Sequence, residues 1–244
     1  MGSKAKKFEP NEYDSVLFSV DPVILTMING HLNVLLVKRE QEPEKDRWAL
    51  PGGRVDKKNC DDLDAAVKLK LRQKTGLDHA YAEQAFTEGG SDMDPRGWSL
   101  TTVYISLLCN DDIDLSKNDT GEEVAWYPVK KLDELGPLAF WHNLLIERAL
   151  SRLRDKVVYT DLPMRLMPEE FTIHELRQVY EEILSGVLAR PSFFKRMTTA
   201  DILVDTGRKK SLGSRPAALY RYKNRSKTHI FPGMLEAKRE ESMR

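Results

Sequence analysis

The sequence predicts an α+β protein in two domains, residues 1–155 and residues 156–244. Three observations carry that prediction. Short β-branched runs alternate with helical patterns through the first domain, and Asn29-Gly30 separates two of the runs, a strong hairpin signal. The last third instead reads helix, turn, short helix, hairpin. The charge also changes sign near the boundary. Residues 1–155 hold 21 Lys/Arg and 27 Asp/Glu, a net of −6, while residues 156–244 hold 17 and 11, a net of +6. The formal neutrality of the 244-residue chain is therefore a cancellation, and it excludes little, because partners meet the local field.

The elements follow in order. Val16 to Ser19, Val23 to Met27 and Leu32 to Val37 are predicted strands, the last two forming a hairpin over 23–38. Trp48-Ala49-Leu50-Pro51-Gly52-Gly53 reads as a short strand running into a glycine turn. Asp62 to Lys74 is a predicted helix: Leu63, Val67 and Leu71 form its buried stripe, Asp61 or Asp62 caps its start and Gly76 stops it. Ser99 to Leu108 and Val124 to Val129 are β-rich, and the acidic stretch 110–122 between them is a loop. Leu138 to Leu153 reads as a second helix, with Leu144, Leu145, Ala149 and Leu153 on its buried side. Thr172 and Glu175 form a capping box that opens a helix ending near Leu184, with Gly186 as its stop. A shorter helix spans Pro191 or Ser192 to Met197, anchored by Phe193, Phe194 and Met197. Strands at Ile202 to Val204 and Ala217 to Tyr222 flank a long basic turn, and the chain after Lys223 reads as a tail.

Composition sets outer limits. Apolar residues are 41% and charged residues 31%, as expected of a soluble globular chain. Cys60 and Cys109 make no disulfide framework, which fits a reducing compartment. No apolar run approaches the roughly 18 residues of a membrane span, and the start MGSKAKKFEP lacks the apolar stretch of a signal peptide. The expectation is a cytoplasmic protein with no membrane partner.

Trp48 to Val55 followed by a helix that ends Thr75-Gly76-Leu77 resembles the Nudix hydrolase family. The resemblance implies an α/β/α sandwich with a mixed sheet. In that family, glutamates on the helix hold magnesium, a hard cation that seeks oxygen ligands, for pyrophosphate cleavage. Here the motif's arginine position holds Leu69, its first helical glutamate position Lys70, and its final pair Gln73 and Lys74. Counted forward from Gly53 the upstream glutamate position is Asn59, and counted back from Gly76 it is Asp61, because this loop is two residues longer. Lys70, Gln73 and Lys74 share one helical face, so two ammonium groups occupy the surface that would attract metal. Asp56, Asp61, Asp62 and Asp64 lie on the preceding loop and first turn. The expectation is a degenerate, non-catalytic domain with no metal and no catalytic residues.

Such a scaffold still binds. Arg39, Arg54 and Arg96 offer planar forks suited to phosphate, Asp94 stands beside Arg96, and Trp48 or Trp98 offers a face on which a base stacks. For each arginine an internal salt bridge is the ordinary alternative. Glu83-Gln84, Asp94-Pro95-Arg96-Gly97 and Leu138-Ala139-Phe140-Trp141-His142-Asn143, with the helix Leu144 to Tyr159, resemble the NrtR family of bacterial transcriptional regulators. These join a Nudix-like effector domain to a winged-helix DNA-binding domain, and many control NAD metabolism or sugar use. The resemblance implies ADP-ribose or a similar phosphorylated ribose compound as effector, no required cofactor, and a homodimer on an operator. Trp141 departs from the family, which often has aspartate there. His142 reads as a structural histidine more readily than as a ligand contact.

Residues 190–227 contain 11 Lys/Arg against Asp201 and Asp205, a net of +9. In a winged helix-turn-helix the second helix enters the major groove and the hairpin tracks backbone or minor groove. Arg190, Ser192, Lys195 and Arg196 on or before the short helix, and Lys209, Lys210 and Arg215 in the hairpin, are thus the expected contacts to double-stranded DNA. The expected function is a ligand-responsive repressor. The alternatives are a divergent hydrolase of nucleotide-sugar diphosphates and an interaction protein whose basic domain binds an acidic partner.

Overall fold

A computed structural model of the chain describes residues 16–76, 80–113, 115–117, 121–212 and 215–238. Leu77 and the tip of the last hairpin fall outside them, as does the side chain of Arg215.

The first domain is an α/β/α sandwich around a mixed seven-stranded sheet. Its strands are β1 (Leu17–Ile28), β2 (His31–Lys38), β3 (Trp48–Ala49), β4 (Gly53–Arg54), β5 (Tyr81–Gly90), β6 (Ser99–Leu107) and β7 (Val124–Pro128). They run in the order β3-β2-β1-β6-β5, with β4 also pairing β1 and β7 pairing β2. The β1–β6 pair is parallel and the other pairs are antiparallel. Asn29 and Gly30, both at positive φ, make the predicted hairpin turn.

Two strands predicted around Asp21-Pro22 are one. Pro22 has no N–H to give, and it lies where β1 leaves one β4 pairing (Val20↔Gly53) before taking up β2 (Leu25↔Val34), so nothing interrupts the strand. β5 was not predicted. It is the sheet's edge and is mostly half-exposed, so its sequence lacks the apolar alternation of a buried strand.

Helix α1 (Leu63–Thr75) covers one face, packing Ala66, Val67 and Leu71 on Val20, Ile24, Leu35 and Tyr104. Asp62 caps it by accepting the Ala65 N–H, and Gly76 ends it in the left-handed region. Helix α2 (His142–Val157) covers the other face. It starts four residues later than expected because Phe140 sits at φ +54°, outside helical geometry.

The second domain contains α3 (Ile173–Leu184), α4 (Arg190–Thr199) and the hairpin of β8 (Leu203–Leu212) and β9 (Arg215–Tyr222). The Thr172/Glu175 capping box is present. Ser185, not Gly186, is the left-handed cap of α3. Gly186 answers a different demand: a Cβ there would stand 2.9 Å from the Lys238 carbonyl. The expected basic turn is mostly strand, with a register shift between Asp205 and Lys209 where Gly207 takes φ +72°.

The expected tail is also packed structure. Thr160 bridges Ile230, Val187 bridges Lys238, and Phe231 is buried. One continuous apolar core runs from the α2 face of the sheet through Leu145, Ala149, Leu153 and Val157 into Phe171, Leu176, Tyr180, Phe193 and Phe231. Helix α2 therefore belongs to both domains.

Candidate functional site

A cleft opens on the α2 face of the sheet, at the glycine turn. Side chains of β1, the Gly52-Gly53-Arg54 segment, Asp94 and Arg96, and the start of α2 line it. Arg39, Arg54, Asp94 and Arg96 all meet there as expected, and Trp141 joins them. Trp48 and Trp98 are not part of the lining. Trp48 packs edge-on against Tyr127 at 5.1 Å, and Trp98 is half-exposed.

The three arginines differ. Arg39 donates to the carbonyls of Pro43 and Gln41 and stacks over Phe140 at 4.7 Å. Burial and the neighbouring Arg96 lower its pKa, against Glu122, Asp94 and Glu44. Arg96 chelates Asp94 through Nε and Nη2 and also reaches the Phe140 ring, at 5.8 Å. Arg96's hydrogen bonds hold Asp94 below the ordinary carboxylate range although burial opposes this, and Asp94 raises Arg96 in return. Arg54 is exposed and makes no hydrogen bond or ion pair with described residues. Phe140 thus serves as a platform for two cations, held in a backbone conformation that bulky residues rarely adopt.

The cleft floor holds groups that sequence reasoning missed or set aside. Asp21 is the one charged residue between Val16 and Met27, which was the available signal. It is buried, and its Oδ2 accepts from Thr101 Oγ1 at 2.5 Å and from Ser19 Oγ at 3.3 Å. His142 Nδ1 accepts the Leu50 N–H at 2.8 Å, which leaves the ring proton on Nε2, 3.9 Å from Asp21 Oδ1. Burial lowers the His142 pKa, Asp21 opposes this and Arg39 adds to it, so the ring is neutral. Gly52 is obligatory here, because a Cβ would stand 1.7 Å from Asp21 Oδ1 and 2.6 Å from the Val20 carbonyl.

On the other side of the glycine turn, Lys70 Nζ comes within 3.4 Å of where a Cβ on Gly53 would be. Lys74 is buried and ion-paired to Glu122. Asp62 is spent on the helix cap, Asp64 accepts from the Tyr104 hydroxyl, and Asp56 binds Asn59 and the Lys58 N–H.

The second site is the winged face. Arg190, Ser192 and Lys195 are exposed on α4 while Phe193 and Met197 are buried beneath them. Two residues depart from expectation. Phe194 is no anchor, being 51% exposed. Arg196 turns away from the outer face, lies 4.0 Å over Phe231 and donates to the Val158 carbonyl at 3.0 Å. Burial lowers its pKa accordingly. In the hairpin, Lys209 is exposed and unpaired among the described residues, whereas Lys210 binds Glu175 at 2.7 Å. Arg208 pairs with Glu170.

Comparison with known proteins finds relatives of both domains. Residues 19–149 match the model of the NUDIX domain, and residues 163–222 match that of the NrtR DNA-binding winged helix domain. The chain is 38% identical to the ADPR responsive transcriptional repressor NtrR of Acinetobacter baylyi, over 94% of this chain and 91% of that protein. It superposes on Shewanella oneidensis NrtR complexed with a 27mer DNA with a TM-score of 0.82, at 36% identity, over 90% of this chain and all of that one. It also matches the NUDIX domain of the same protein complexed with ADP ribose, at 35% identity and a TM-score of 0.55, over 60% of this chain and 94% of that one. With matches that span both of its domains, the chain belongs to the NrtR family of Nudix-linked, winged-helix transcriptional regulators.

Proposed function

We propose that this regulator represses transcription as a homodimer on operator DNA and is released when ADP-ribose, or a close phosphorylated ribose compound, fills the cleft. The observation that carries the reading is the position of α2. Its first residues, after Phe140 and Trp141, form the cleft floor, and its last turns form the core of the winged domain. Arg54, with Arg39 and Arg96 beside it, supplies the forks for a diphosphate. A phosphate that engaged Arg39 and Arg96 would compete with their stacking on Phe140, and the change would reach α2 directly. In the dimer, two α4 helices would sit about 34–36 Å apart, one DNA turn, and a modest rotation would spoil that spacing. Arg190, Ser192, Lys195 and Lys209 are the side chains presented to DNA.

We further propose that the domain does not hydrolyse its ligand. Lys70 and Lys74 replace the carboxylates that the enzymes use for magnesium, and three of the nearby aspartates are engaged in capping or hydrogen bonds. Calorimetric titration with ADP-ribose, with and without EDTA, tests both points. Equal affinity and no product are expected. Magnesium-dependent turnover would favour the hydrolase instead.

A further inference from the structure

We infer that Asp21 is the acceptor that recognises a ribosyl hydroxyl of the effector, with the neutral His142 Nε2–H as the adjoining donor. The inference rests on the reading of the cleft as a site for a phosphorylated ribose compound, and it assigns the sugar's place within that site.

Asp21 is an anomaly in its surroundings. It is 6% exposed on a strand otherwise devoted to the core, yet no lysine or arginine among the described residues lies within ion-pairing distance. A buried carboxylate without a cation is expensive unless hydrogen bonds offset the lost hydration. Half of that compensation is built in, since Ser19 and Thr101 both donate to Oδ2. The other oxygen, Oδ1, has no donor within hydrogen-bonding distance among the described residues. Its neighbours are the bare Cα of Gly52 and His142 Nε2 at 3.9 Å. Both side chains line the cleft. The floor therefore presents one unfilled acceptor beside one donor.

The chemistry of the occupant follows. A phosphate is repelled by the carboxylate and drawn instead to Arg54 and its neighbours on the cleft wall. A hydroxyl donates a hydrogen bond to Oδ1 and accepts one from Nε2–H, and so satisfies both groups. A ribosyl diphosphate carries both parts on one molecule. Because His142 is the first residue of α2, the sugar contact is made on the helix that enters the second domain.

The test compares the full-length wild type with Asp21→Asn, which keeps shape and removes charge. Each is titrated with ADP-ribose and with inorganic pyrophosphate, which has no hydroxyl of a sugar. Asp21→Asn is expected to bind ADP-ribose about tenfold or more weaker, since a charged acceptor is lost, and pyrophosphate no weaker than the wild type, since the charge removed repels phosphate. Unchanged ADP-ribose affinity in a variant with wild-type melting temperature would overturn the role of Asp21 while leaving the cleft reading intact. Equal losses for both ligands would overturn it too, as a general defect of the cleft. Failure of the wild type to bind ADP-ribose would overturn the reading of the cleft itself, and the role of Asp21 with it. Should the variant not fold, ADP-ribose analogues each lacking one ribose hydroxyl are titrated into the wild type. At least one is expected to bind about tenfold weaker, and equal binding by all would reject the inference.

Discussion

Gly52 shows how tightly single positions are determined at the cleft. A methyl group there would meet Asp21 Oδ1 and the Val20 carbonyl at distances no side chain tolerates. Gly52→Ala should destabilise the protein by about 1–3 kcal/mol, seen as a lower melting temperature, and weaken effector binding along with it. A second contrast lies on α4, where adjacent basic residues do unlike work. Lys195 faces outward, so Lys195→Ala should cost roughly 1–3 kcal/mol of operator affinity, selectively for the operator over bulk DNA. Arg196 instead clamps Phe231 and the Val158 carbonyl. Arg196→Ala should lower the melting temperature of the winged domain, while any DNA that still binds keeps its sequence preference. The sequence shows two neighbouring cations and cannot tell them apart, because the segment that Arg196 holds lies 35 residues downstream and has no periodicity of its own.

Local elements were legible where the signal is local. The Asn29-Gly30 hairpin, the cap of α1 at Asp61 or Asp62 (the structure uses Asp62) with its Gly76 stop, and the Thr172/Glu175 capping box all follow from residues within a few positions of one another. The capping box has a further partner in Lys210, whose ammonium binds Glu175 from the wing. Burial alone would raise the Glu175 pKa, but Lys210 and Thr172 hold it below the ordinary value. Thr172→Ala should cost about 1 kcal/mol, measured by chemical denaturation, and should loosen hydrogen-exchange protection in the first turn of α3. What sequence could not show were elements defined by distant partners. Among the described residues β5 is an edge strand paired only with β6, the start of α2 is set by Phe140 under two arginines, and the C-terminal segment is docked by isolated bridges. The same division holds for the cleft: the arginines stand out by type, whereas Asp21 and His142 become a pair only when β1 meets the start of α2.

At the scale of the whole molecule, the two domains share a core and a polar seam. Arg154 on α2 donates to the Ile183 carbonyl at 3.1 Å, and Arg165 stacks on Tyr81 at 3.9 Å. Glu182 on α3 reaches back to the first domain, meeting Lys130 at 2.7 Å, His31 at 3.6 Å and the Leu32 N–H at 3.4 Å. Burial would raise the Glu182 pKa, but these partners hold it below the ordinary glutamate value of 4.5. A carboxylate with a lower pKa in the folded than in the unfolded chain contributes stability above the unfolded value and loses it as pH falls through the folded one. Glu182→Gln should therefore be less stable than wild type at pH 7, and the difference should shrink below pH 4.5. A constant difference across that range would contradict the seam's electrostatic role. Such a seam, with one helix common to both cores, is the physical link that a ligand-responsive regulator needs, since coupling requires an element that both sites bias. The measurement that tests this most directly is the affinity of the full-length protein for an operator from the DNA upstream of its own gene, by fluorescence anisotropy, with and without saturating ADP-ribose. ADP-ribose is expected to weaken binding by about 5–150-fold, a coupling of roughly 1–3 kcal/mol. An operator affinity unchanged by a ligand that demonstrably fills the cleft would contradict the account.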